Sequence, residues 1–368
     1  MAIDTRTPTR APAMARPLAN AYTTGKLPSW MPWPILAGAL AVSLGAFWLL
    51  AAASDAELNW IGGIIVGVAL FVFVNWGISR LVEGGRQAAD RLVTSLVTGA
   101  FVLALIPLVW LTITVVANGL PTLVNGTFLT NSMRNVVGEG GGALHAIVGT
   151  LLITGLAAVI SIPIGLMTAI YLVEYGTGRL ARAITFLVDV MTGIPSIVAG
   201  LATYALFALL FGDGVRSGVA GSVALSILMI PVVVRSSEEM IRLVPNELRE
   251  ASYALGVPKW RTIAKVVLPT SVAGITTGIM LSISRVIGET APLLIVAGFT
   301  ASMNYNPFSE RMMSLPVFVY TQYVSPGTET QFYVERAWAG ALTLILIVAL
   351  LNAIARLVSH FFSPKLGR

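Results

Sequence analysis

Long apolar runs, each about one membrane thickness when helical, alternate with short polar segments along most of the chain. They fall near 35–53, 60–79, 93–117, 145–172, 184–211, 218–234, 270–297 and 337–359. About 20 apolar residues in a helix cross a hydrocarbon layer of ~30 Å. No sustained two-residue alternation of apolar and polar positions appears. A membrane barrel, whose strands alternate lipid-facing and lumen-facing side chains, therefore does not fit. With no water in hydrocarbon to pair backbone groups, helices are what remains. The pattern predicts an all-α polytopic membrane protein with eight spans, and the even number returns the C-terminus to the side of the N-terminus.

The polar segments divide this series. Residues 1–34 are rich in Pro, Thr, Ala and Arg without a long apolar run, and read as a disordered, basic cytoplasmic segment rather than a cleavable signal peptide. The first two spans share a short loop, and the polar stretch Glu83 to Arg91 sets them apart. Residues 35–92 thus read as a transmembrane hairpin with a cytoplasmic linker, and 93–368 as a core of six spans. The longest external loop, about 298–336, carries or adjoins Phe308, Phe318, Tyr320, Tyr323, Phe332, Tyr333 and Trp338. Such aromatics favour a membrane interface; reception of an external partner is the other reading. Pro163, Pro195, Pro231 and Pro292 fall inside spans, where each removes a backbone donor and predicts a kink or a hinge.

Composition narrows the class. Of 368 residues, 56% are hydrophobic and 11% charged, against roughly one-quarter charged in a soluble domain. With no cysteine there is no disulfide, thiol catalysis or Cys-based metal site. His145 and His360 stand far apart in sequence, and no metal site is expected from them. The net charge of +6 raises nucleic acid as a partner, but its distribution answers otherwise. With the N-terminus inside, 18 Lys and Arg lie on inner segments and four on outer ones, namely Arg134, Arg216, Arg311 and Arg336. That asymmetry is the positive-inside signal and places both termini in the cytoplasm.

One inner loop is unusually informative. Val244 to Pro269 reads VPNELREASYALGVPKWRTIAKVVLP, two short helices around a glycine. Ala251, Ala254, Leu255 and Val257 offer a compact apolar surface, and Gly256 permits a turn. An amphipathic helix of this kind suits a groove on a partner. The chain has no GxxxxGK[ST] string, so it lacks the amide cradle and lysine that hold nucleotide phosphates. The glycine run Gly138 to Gly142 lacks them too, and reads as a flexible lead into the fourth span.

The seventh span holds Arg285 near its middle with Glu289 four residues on. A charge at such a depth costs ~2.5–3.5 kcal/mol even on the lower scales, so it normally faces a pathway or a bundle interior. Continuous helix would put the two on one face. They read either as a closed packing pair or as an anion site whose arginine exchanges Glu289 for substrate. A guanidinium offers forked donors to two oxygens and stays charged when desolvated, which suits a tetrahedral oxyanion.

The loop resembles the EAA loop of importer permeases. Glu250, Ala251, Ser252, Gly256, Leu268 and Pro269 match its pattern, with Ser252 for the second Ala and Val266 for the Ile. The strings GIPSIVAG (193–200), PVVVRSSEEMIRLVP (231–245) and RVIGETAPLL (285–294) resemble the PstA permeases of phosphate importers over roughly 93–360. That resemblance implies the type I importer (MetI-like) fold, with the hairpin at 35–79 as an addition. It implies phosphate coordination by Arg285, with Glu289 as counter-ion. Arg235 becomes either a contact for the departing anion or a positive-inside flank. It further implies a PstC-like permease as heterodimer partner and two PstB-like ATPases holding ATP and Mg. A PstS-like binding protein would deliver outside, in a bacterial plasma membrane, and a regulatory complex with a sensor kinase is compatible. Import of molybdate or sulfate, or a role as phosphate-signalling scaffold, are the alternatives.

Overall fold

A computed structural model describes residues 27–54 and 57–362, with side chains followed to Ser359. Most of the segment read as a disordered N-terminus lies outside the described residues, as do the His360 side chain, Lys365 and Arg368. The described residues form helices and loops, with no strand among them. Two compact units are distinguished, up to Trp110 and from Leu111 onward.

The first unit contains α1 (Pro32–Ser54), α2 (Trp60–Val82) and the first part of α3 (Gly85–Val124). α1 and α2 form the predicted hairpin. Their approach needs small residues: the Ser43 hydroxyl donates to the Gly63 carbonyl at 2.7 Å, and a Cβ on Gly67 would stand 3.2 Å from the Leu40 Cα. Asn59 caps α2 by accepting from the Gly62 N–H at 2.8 Å. The polar stretch read as a linker is already helical from Gly85, and its Glu83 carboxylate is met by neighbouring side chains. Glu83 accepts from Arg91 at 2.6 and 2.8 Å and from Ser79 at 2.7 Å.

The second unit is built around α7 (Gly218–Arg242), the most buried span, packed on α4 (Leu144–Ile170). Ser222 and Ser226 of α7 donate to the Ile153 and Ala157 carbonyls of α4 at 3.0 and 3.4 Å. Gly165 lets Val233 approach α4 closely. Small and hydroxylic residues replace a hydrophobic driving force that lipid does not supply. Ile153, Ala157, Leu225, Met229 and Val233 form the buried centre.

Among the described residues seven helices are long and apolar enough to cross a membrane, with an eighth span only if a bent pair is taken as one. That pair is α5 (Gly178–Thr192) and α6 (Ser196–Phe211), which meet at 108°. The run 184–211 is therefore not a straight span. Gly193 to Pro195 makes the elbow, since Pro195 has no N–H to continue a helix from α5. The run 270–297 is broken as well, into α10 (Leu268–Val286) and α11 (Ala291–Val296). Pro163 and Pro231 stay within α4 and α7.

Two more helices complete the unit, α12 (Leu315–Val324) and the long α13 (Thr330–Phe362). α12 folds back onto α4. Phe318 is wholly buried, edge-on to His145 at 5.7 Å and to Phe128 at 6.3 Å. It is thus a core residue and not an interfacial one, whereas Tyr305, Phe308 and Tyr323 are exposed.

Candidate functional site

α7 and α10 run antiparallel, with Gly274 against Met240 and Gly278 against Ser236. This register fixes the depths of the two arginines singled out in sequence. Arg285 lies level with about residue 229 of α7, so it stands beyond Arg235 by ~9 Å along the axis at ~1.5 Å per residue. The two arginines thus start from successive backbone levels of one helix pair.

Their surroundings differ. Arg285 lies in the last turn of α10, on an exposed stripe with Thr277, Leu281 and Gly288. Thr277 and Leu281 also line an open groove with Asn352 and Arg356 of α13. Neighbouring Ser284 is turned to Asn352, with their oxygens 3.3 Å apart. Among the described residues Arg285 makes no ion pair, with Glu289 or any other carboxylate. The i to i+4 pairing expected on a continuous helix does not form, because the helix ends at Val286. Glu289 lies in the break, its N–H donating to the Val286 carbonyl at 3.1 Å.

Arg235, by contrast, is fully engaged. One Nη donates to Asp189 of α5 and the other to Glu238 at 2.9 Å. The second oxygen of the buried Glu238 accepts from Arg242 at 2.6 Å. Sequence reasoning set Glu238 beside Arg235 but missed Asp189, which is 46 residues away and reaches it only through the elbow at Gly193 to Pro195.

The predicted coupling loop comprises α8 (Asn246–Ala254), a glycine turn, and α9 (Lys259–Thr262), which leads straight into α10. Only the first of the two expected helices stands apart. Gly256 has φ +74° with open space around a notional Cβ, so conformation alone requires glycine there. Its N–H donates to the Tyr253 carbonyl at 2.9 Å and that of Val257 to the Ser252 carbonyl at 3.2 Å. These bonds close α8 in a Schellman arrangement. Ser252, the departure from the second Ala, is buried and shares a 2.8 Å hydrogen bond with Thr262. Glu250, Ala251 and Pro269 are exposed, Leu268 packs against a buried cluster with Val267 and Ile241, and Leu255 and Trp260 project at 83% and 61% exposure.

Two wide helical turns flank this loop, Tyr171–Tyr175 after α4 and Ile263–Val267 before α10. Pro269 cannot donate to the carbonyl four residues back, which favours the second. The first aims Glu174 at the loop. Its carboxylate accepts from Arg249 at 3.1 and 3.0 Å, its carbonyl accepts from Lys259, and Arg249 also donates to the Ile241 and Val244 carbonyls. Glu174 carried no sequence signal beyond its rarity as an acid at a span end.

At the opposite end, Arg336 is buried at the start of α13. It donates to Gln322 at 3.0 Å and to the Gly138 and Gly140 carbonyls at 2.6 and 2.9 Å, with Tyr333 beneath it at 4.5 Å. The glycine run read as a flexible lead is a folded turn around this guanidinium. Gly138, Gly140 and Gly141 have positive φ, and a Cβ on Gly142 would collide with the Phe128 carbonyl.

This combination of broken spans and a flanked inner loop defines a class. Residues 161–368 match the family of binding-protein-dependent transport system inner membrane components. The chain is 49% identical over 275 residues to the phosphate transport system permease protein PstA 1 of Mycobacterium tuberculosis (strain CDC 1551 / Oshkosh), covering 74% of this chain and 89% of the relative. It is 40% identical over 284 residues to PstA of Pasteurella multocida (strain Pm70), covering 76% and 96%. The chain belongs to the PstA family of importer permeases. It is an integral inner-membrane transport subunit, of a class that works with an ATPase and a substrate-binding protein. Among solved structures, a bacterial alginate ABC transporter in complex with an alginate pentasaccharide-bound periplasmic protein shares the fold, at TM-score 0.53 and 14% identity over 76% of this chain and 97% of that one.

Proposed function

We propose that this chain forms, with a PstC-like partner, the translocation path of an ATP-driven importer of inorganic phosphate. The observation that carries the reading is Arg285, a guanidinium without an ion pair among the described residues, on an open helix face with Thr277, Leu281 and Gly288. Lipid against that face would meet a desolvated charge. A partner subunit enclosing it would make an anion station in low dielectric, where a forked donor holds two oxygens strongly. Arg235, about two helical turns nearer the coupling loop, is the contact for the departing anion. Glu289 answers the charge of Arg285 in a state of the cycle in which the break at 287–290 brings its carboxylate round.

Of two PstB-like ATPases carrying ATP and Mg, one docks on α8 and the exposed Leu255 and Trp260 of this chain, and a PstS-like protein delivers phosphate on the other side. Both termini are cytoplasmic. Closure of the ATPases moves α8, and Glu174 passes the movement to α4. A shift of this kind requires the two states to differ in their contacts with nucleotide and anion.

The test is phosphate uptake by the complete complex in proteoliposomes with Arg285→Lys and Arg285→Gln, with ATPase rates measured alongside and sulfate and molybdate as competitors. Uptake is expected to fall at least about tenfold in Arg285→Gln, the loss of one charge-assisted contact of ~1.5–3 kcal/mol. ATPase activity should persist. Wild-type uptake in both variants would remove Arg285 from the path, and equal competition by sulfate would remove phosphate as the selected anion.

A further inference from the structure

The two carboxylates on Arg235 are not equivalent. Glu238 belongs to the same helix, is buried, and holds both Arg235 and Arg242. Asp189 comes from α5, in the last turn before the elbow, and its side chain is 58% exposed. Arg235 is its one ion-pair partner among the described residues. With Asp189 in place, two arginines face two carboxylates and the cluster is neutral. With Asp189 moved aside it carries one positive charge, and one Nη of the part-exposed Arg235 is left without its acceptor. A phosphate oxygen and a carboxylate oxygen present the same acceptor to that donor. Exposed Glu239, next in sequence, makes no ion pair among the described residues.

We infer that Asp189 is the internal anion that occupies Arg235 between transport events, and that the transported oxyanion passes this point by displacing it. The inference rests on the reading of Arg235 as the exit contact. It assigns Asp189 a role in selecting and releasing the anion. Displacement also removes the ion pair between α5 and α7 beside the elbow, leaving the apolar contact of Val188 with Val234 to hold the two helices.

The experiment uses the complete transporter in proteoliposomes, with ATP, Mg and graded inorganic phosphate on the ATPase side. Inhibition of initial uptake by that phosphate is measured in wild type, Asp189→Asn, Asp189→Glu and Arg235→Gln. Removing a competitor raises the fraction of time Arg235 is open, so Asp189→Asn should inhibit at about three- to tenfold lower phosphate. Asp189→Glu should resemble wild type, and Arg235→Gln should need more phosphate. If Arg235→Gln shifts the curve and Asp189→Asn does not, Asp189 is only a fastening between helices and the inference is overturned while the exit contact stands. If Arg235→Gln leaves the curve unmoved, the exit contact fails and the inference fails with it. Should Asp189→Asn be poorly folded, Asp189→Ser is read the same way.

Discussion

Gly200 lies directly against Pro292, so that a Cβ on Gly200 would stand 2.8 Å from the Pro292 Cα. The two residues end the string GIPSIVAG and stand inside GETAP, separate signatures in sequence that form one joint between α6 and α11. Pro292 lies in the first turn of α11, where its missing N–H costs nothing. The joint therefore depends on α6 having no side chain at 200.

Gly200→Ala should destabilise the folded subunit by about 1–3 kcal/mol through overpacking. Gly155→Ala, in α4 with nothing near a notional Cβ, should be neutral or slightly stabilising. Thermal unfolding of the two purified variants, followed by size-exclusion recovery, compares them; equal melting would refute the close joint.

Breaking the Glu174–Arg249 bond should separate ATP hydrolysis from uptake. Both side chains are largely buried, at 5% and 12% exposure, and removing one partner of such a pair typically costs about 3–5 kcal/mol locally. Glu174→Gln should leave α8 loosely attached, with the ratio of phosphate moved to ATP hydrolysed reduced severalfold. An unchanged ratio would show that α8 is held mainly by backbone contacts.

Ser252→Ala restores the commoner residue of the loop pattern, yet it should weaken this loop. The Thr262 hydroxyl would lose its 2.8 Å side-chain partner in a buried position, at about 1 kcal/mol. Adding Thr262→Val should recover most of the loss. Protease sensitivity of the loop in the three variants would report it, and a stable single variant would contradict the argument.

Acid should loosen the start of α3. The hydrogen bond from Arg91 holds the Glu83 carboxyl below its ordinary value of 4.5, against a raising effect of burial. A carboxyl with a lowered folded value contributes stability that is complete above about pH 4.5 and is lost as pH falls through the lowered value. Amide exchange of residues near Gly85 to Arg91 should accelerate in that window in wild type. It should be fast throughout in Glu83→Gln.

How much was visible beforehand follows from the range of each interaction. Apolar length announced the hairpin and most spans, and the positive φ at Gly256 follows from glycine in a turn-compatible loop. The breaks at Gly193 to Pro195 and at 287–290 were marked by Gly and Pro, but apolar residues continue on both sides and hydropathy runs straight through. Glu174 with Arg249, Asp189 with Arg235, and Arg336 with Gly138 each join residues at least 46 positions apart, beyond what local pattern encodes. Phe318 misled because an aromatic in a long outer loop looks interfacial until α12 is seen to fold inward.

The grip of Arg249 has a mechanical meaning. One side chain holds the Glu174 carboxylate at the foot of α4 and the Ile241 and Val244 carbonyls at the foot of α7. Torque applied to the short arm at α8 is therefore shared by the two central pillars instead of being absorbed as slack in a hinge. If α8 is the ATPase dock proposed above, a displacement there reaches both helices together and not one after the other.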